Sequence, residues 1–120
     1  MRASQSDYIM RLIEQLGAAL RRLREMLARD ASSATVVIRE IEAAQAELFG
    51  DLWPVLQQVS AATALELLPD TRRVELWIEL LQMEAHAAEL LQEGLRAEQS
   101  RRRSEALRAA ILDSGRLPSE

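Results

Sequence analysis

The sequence predicts an all-α, single-domain protein, a bundle of about five helices paired as antiparallel hairpins. Three observations carry this. Ala, Leu, Glu, Gln and Arg dominate the composition, and their side chains lose little rotamer freedom in a helix. Only four Gly and three Pro punctuate 120 residues, so turns are few. Aliphatic residues also recur at helical spacing along most of the chain.

The first helix is expected over Asp7 to Arg29, with Ser6 as N-cap and Asp7 favoured by the helix dipole. Ile9, Ile13, Leu16, Leu20, Leu23 and Leu27 form a seam like that of a coiled coil. Leu12, Ala19 and Met26 widen its flank. Gly17 costs about 1 kcal/mol relative to Ala, and a closely approaching backbone would account for it. Ser32 or Ser33 is expected to cap a second helix, Ala34 to Phe49, which buries Val37, Ile41, Ala44 and Leu48 and stops at Gly50.

The segment from Asp51 to Pro69 is less regular. Asp51 is positioned to cap a helix that tolerates Pro54 in its first turn, and Ser60 to cap another. Leu68 precedes Pro69 and is pushed out of the helical region. Asp70 or Thr71 then starts a long helix expected to reach Leu95. Its broad apolar face includes Val74, Trp77, Ile78, Leu81, Ala85, Ala88, Leu91 and Leu95. The run Arg96 to Arg103 is expected to be a connector or a frayed turn. A last helix is expected over Ser104 to Ser114, stopped by Gly115, with loose tails at residues 1–5 and 116–120.

The opening SDYIMRLIEQLG, Ser6 to Gly17, resembles that of a family of short bacterial proteins classed as a domain of unknown function. In that family an N-terminal helix precedes helix pairs similar to tetratricopeptide repeats. Ile38 to Gly50 looks like its second helix. Ala88, Leu91 and Leu95, with Glu105 to Ala110, look like a degenerate repeat hairpin. The chain departs from the repeat pattern before its second helix, where Ala31 to Thr35 replace the expected glycine and aromatic. The resemblance implies a degenerate tetratricopeptide-like fold and carries no catalytic residues.

Composition narrows the chemistry. There is no Cys, which excludes disulfides and thiolate chemistry. Net charge is −4, an unfavourable footprint for nucleic acid. All 15 basic residues are Arg, a bias expected of a GC-rich bacterial genome. No apolar run approaches the roughly 20 residues of a membrane span, and no secretory leader is visible, so a cytoplasmic location is expected.

No catalytic residue, cofactor or metal site is expected. His86 is the only histidine and lacks the Glu-x-x-His pairing of di-metal bundles, since Met83 stands three residues before it. Even so, a ligand- or metal-binding bundle around His86 and its neighbouring glutamates is one alternative. Glu75, Glu79, Glu84, Glu89 and Glu93 read as a solvated stripe or as partners for Arg. Arg101, Arg102 and Arg103, with Arg96 and Arg108, form a basic patch for an anionic partner, the second alternative. Trp53, beside Pro54, and Trp77 are candidate interface anchors, with Trp77 read as core. The preferred expectation is a protein-interaction or structural module that self-associates as a homodimer. Its candidate surface is Ile9, Ile13, Leu16, Leu20, Leu23 and Trp53.

Overall fold

A computed structural model describes the backbone of residues 2–116 and side chains from Asp7 onward. Among the described residues the chain is helical, with no strand. The helices are α1 (Arg2–Arg29), α2 (Ala34–Phe49), α3 (Trp53–Leu56), α4 (Ala61–Leu67), α5 (Thr71–Leu90) and α6 (Gly94–Ser114). Five are true helices and α3 is a single turn. Short 3-10 turns, Ala31–Ser33 and Gly50–Leu52, precede α2 and α3.

α5 is the central element and packs against α1, α2 and α6. It is buried nearly all round, through Val74, Leu76, Trp77, Ile78, Leu80, Leu81, Met83, Ala85, Ala87 and Ala88. An apolar surface this wide needs neighbours on several sides. α1 has 28 residues and spans roughly 42 Å at the helical rise, close to the 43 Å length of the molecule. Most of its seam enters the core: Leu16, Leu20, Leu23 and Leu27 are buried, as is Leu12 on the flank.

Several local expectations change. The backbone of residues 2–6 is helix, so that stretch is no loose tail and Ser6 is no N-cap. Met1 and residues 117–120 lie outside the described residues. A Cβ added at Gly17 would meet nothing within 4 Å, so no close backbone explains that glycine. Asp30, rather than a serine, caps the turn into α2. Its carboxylate accepts from the Ser32 amide at 3.0 Å and the Ser32 hydroxyl at 2.7 Å. These bonds hold its carboxyl below the ordinary carboxylate range. Asp51 sits inside a 3-10 turn and does not cap α3, which has Pro54 in its first turn and no side-chain cap. Ser60 and Asp70 cap as expected, accepting from the amides of Thr63 and Arg72. Gly50 ends α2 at φ +55°.

The largest correction lies at the α5–α6 junction. α5 stops at Leu90, not Leu95, because Gln92 turns the chain at φ +60°. The Glu93 amide donates to the Ala88 carbonyl at 2.9 Å, and the Gln92 amide to that of Glu89 at 3.0 Å. This is a Schellman stop with glutamine in the left-handed place glycine usually takes. Leu95 is consequently 74 % exposed instead of lying on the apolar face. The stretch Arg96 to Arg103 is helix, not connector. Its buried side is made of small residues, Ala97, Ser100 and Ser104, continued by Leu107 and Ile111. Alternating steps of three and four put them on one face, and their small size lets α6 lie close on α5, its most extensive partner.

Arg116 is no loose tail either. It donates Nη1 to the Leu68 carbonyl at 2.9 Å and Nη2 to the Leu65 carbonyl at 2.7 Å. Two further arginines do similar work: Arg73 donates to the Leu48 carbonyl at 2.7 Å and Arg103 to the Leu56 carbonyl at 2.6 Å. The last carbonyls of a helix have no intrahelical partner and carry the negative end of its dipole. Guanidinium groups from distant segments thus satisfy the C-terminal ends of α2, α3 and α4.

Candidate functional site

Four helices, α2, α3, α5 and α6, converge on an open groove of about 660 Å³. α2 contributes Glu42 and Gln45, α3 contributes Trp53 with the following Gln57, and α5 forms Trp77, Leu81 and Glu84. α6 lays Arg96, Gln99, Ser100 and Arg103 along one side. Steps of three and four bring those four residues to a common face. The same helical register buries Ala97, Ser104 and Leu107 against the core.

An aromatic cluster holds one end. Phe49 stacks on Trp53 with ring centroids 5.9 Å apart, and Trp77 meets both rings edge-on at 4.9 and 6.0 Å. Such geometry follows the ring quadrupoles. Trp77 is fully buried, whereas Trp53 is half-buried. Arg103 lies over the Trp77 ring at 5.2 Å, and Arg73 over Phe49 at 5.4 Å. Burial lowers the pKa of both guanidiniums. Asp70 opposes that shift for Arg73, while no carboxylate among the described residues does so for Arg103.

A polar network forms the other end. The Trp77 indole N–H donates to Gln45 Oε1 at 3.2 Å, and Gln45 Nε2 donates to Glu84 Oε1 at 3.1 Å. Arg96 then donates Nε and Nη2 to Glu84 Oε2 at 3.1 and 2.9 Å, and Nη2 to Glu42 Oε2 at 2.7 Å. Gln45 and Glu84 are 3 % and 9 % exposed. Buried polar atoms left unpaired are costly, and this chain pairs them in series from the core to the rim. Desolvation opposes the Arg96 charge, but the two carboxylates outweigh it and raise its pKa.

The residues singled out in the sequence are dispersed. Leu16, Leu20 and Leu23 belong to the chain's own core, with Ile13 packed against it and Ile9 half-buried. That seam is therefore intramolecular and cannot serve as a free docking face. Trp53 alone of that set lines the groove. The basic run also splits. Arg101 pairs with Glu89 at 2.6 Å, Arg102 with Glu98 at 2.5 Å, and Arg103 turns towards Trp77 and Leu56. Arg108 lines a separate groove with Glu75 and Glu79.

His86 is exposed on α5. Among the described residues no three His, Cys, Asp or Glu groups gather as metal ligands. The glutamate stripe disperses too: Glu79 pairs with Arg24 at 3.7 Å, Glu84 joins the buried network, and Glu93 precedes α6. Gln45, Gln57, Gln99 and Ser100 were not expected in a site. Neutral polar residues in helices have no distinctive spacing, and only a burial period could have marked Gln45 and Ser100.

Comparison with protein-family models, curated proteins and solved structures finds no match to this chain. No helix among the described residues is long and apolar enough to cross a membrane.

Proposed function

We propose that this chain is a helical protein-interaction module, non-enzymatic, whose binding face is the groove between α2, α3 and α6 above α5. One observation carries the reading: the groove presents half-buried Trp53 beside an ordered set of polar groups already held in place. An aromatic anchor next to fixed hydrogen-bonding groups reduces the ordering cost of recognition. The α5–α6 hairpin supplies most of this face, in keeping with the tetratricopeptide-like helix pairs that the sequence resembles. A photo-cross-linking amino acid placed at Gln57 or Gln99 should give discrete adducts in cells. The same group at Glu105, exposed and off the groove, should not. Absence of position-specific adducts refutes the reading.

Self-association is a second reading, moved from the α1 seam to the outer α1–α2 face. A groove of about 380 Å³ there exposes Met26 and Val36 beside Ala19 and Ala43. Arg22 lies on its α1 wall, with Glu40 and Glu47 on its α2 wall. Two-fold apposition would set Arg22 against the partner's Glu40 or the partner's Glu47, a self-complementary arrangement. Sedimentation across a concentration series tests it. A strict monomer at high concentration, or a dimer indifferent to Val36→Glu, removes this reading.

A further inference from the structure

The groove has an uneven charge layout. At one end Arg96 faces two carboxylates, Glu84 and Glu42, so its charge is more than answered. At the other end Arg103 faces none of the described carboxylates. These residues are two turns apart on α6, roughly 10 Å along its axis. The groove therefore runs from a net negative end at Glu42 to a net positive end at Arg103.

Arg103 is more than a structural clamp. Among the described residues its guanidinium makes one hydrogen bond, Nη2 to the Leu56 carbonyl, which leaves most of its donors unspent. Its guanidinium carbon also lies 5.2 Å from the centre of the Trp77 ring, a second anchor for the fork. Arg73 is the internal comparison. It too lies over an aromatic ring and donates to a helix-end carbonyl, yet its charge is opposed by Asp70 and it does not line this groove. Asp70 pairs with Arg72 at 3.3 Å and stands near Arg73 as well, whereas among the described residues no ion pair reaches Arg103. Around Arg103 stand Gln57, Gln99 and Ser100, which can hydrogen-bond a polypeptide, and Trp53, which can pack against an apolar side chain.

We propose that the groove recognises an acidic side chain on a partner protein's segment, with its carboxylate seated on the free donors of Arg103 and a neighbouring apolar side chain against Trp53. This inference rests on the groove being the interaction face. A planar guanidinium held in one orientation matches a carboxylate's two oxygens, which a mobile ammonium does not. The Glu42 end favours a basic or donor group on the same segment, about three extended residues away. The segment thereby acquires a direction.

The test is selection of a random dodecapeptide library on the full chain. The enriched pool should carry Asp or Glu well above the input frequency, beside an aliphatic or aromatic residue. Binding of a selected peptide should quench or shift the tryptophan emission, because both tryptophans line the groove. Replacing its acidic residue by the matching amide should weaken binding about tenfold or more, the worth of one charge-assisted pair. Arg103→Gln should do the same to the acidic peptide and leave the amide version unchanged, and Arg103→Lys should recover part of the loss. An enriched pool with no acidic excess overturns the inference while leaving the interaction module standing. Failure to enrich any peptide, together with absent cross-links from Gln57 and Gln99, overturns both. If Arg103→Gln does not fold, the acidic-to-amide comparison on the native chain still decides. Competition by free glutamate as strong as by the peptide would assign the site to a small carboxylate and overturn a protein partner.

Discussion

Removing Arg96 probes the network that ties the groove to the core. In Arg96→Ala the Glu84 carboxylate loses its cation, while Gln45 still occupies its other oxygen. Breaking a fully buried ion pair costs roughly 3–5 kcal/mol. Here the side chains are 32 % and 12 % exposed, so water reaches the vacated side, and about 2 kcal/mol is the appropriate figure. The contact to Glu42, 55 % exposed, adds less than about 1 kcal/mol. An unfolding entropy of about 2.1 cal/mol/K per residue gives roughly 0.25 kcal/mol/K for this chain, hence a Tm fall of about 8 °C.

The decisive assay is a double-mutant cycle of Arg96→Ala and Glu84→Gln in urea and thermal unfolding. Glu84→Gln keeps an oxygen for the Gln45 amide and removes the buried charge. The double variant should therefore be more stable than the sum of the single losses by about 1–2 kcal/mol. The coupling should largely survive in about 1 M NaCl, because a half-buried pair is screened less than an exposed one. A coupling energy below about 0.3 kcal/mol, or one abolished by salt, would show that Arg96 is an ordinary surface cation and that the network does not organise the groove.

Other consequences are as direct. Gly17→Ala should raise stability by about 1 kcal/mol in urea unfolding, since the added methyl meets open space and the helix gains propensity. Gln92→Gly should also stabilise, by about 1 kcal/mol, by relieving the left-handed backbone at the end of α5; a loss would contradict the turn described. Arg116→Ala should cost about 1–2 kcal/mol and speed amide exchange across α4, because the carbonyls of Leu65 and Leu68 lose their donor. The Asp30 cap should be pH-dependent. Its folded pKa is lowered, so its contribution is fully present above the ordinary carboxylate range and is lost as pH falls through the folded value. The protection factor of the Ser32 amide, which is its exchange relative to the intrinsic rate at each pH, should fall over that acid window and hold steady above it.

Sequence alone determined the class of fold and most of its long elements. Val37, Ile41 and Leu48, and likewise Leu16, Leu20 and Leu23, lie at the pitch of a helix, and burial of that stripe follows without knowledge of its neighbour. Gly50, Ser60 and Asp70 marked boundaries for equally local reasons, since a cap or a positive φ acts within one turn. Tertiary structure decided where α5 ends, because Gln92 has no intrinsic preference for the left-handed region and is held there by the bonds closing the turn. It decided that Arg96 to Arg103 is helix, through small residues whose burial depends on α5 lying close. It also decided the groove. Gln45, Trp77, Glu84 and Arg96 come from three helices, and the charge left open at Arg103 depends on which carboxylates stand near it in space. Local pattern reports which face of a helix is buried, whereas the pairing of polar groups is settled only when distant segments meet.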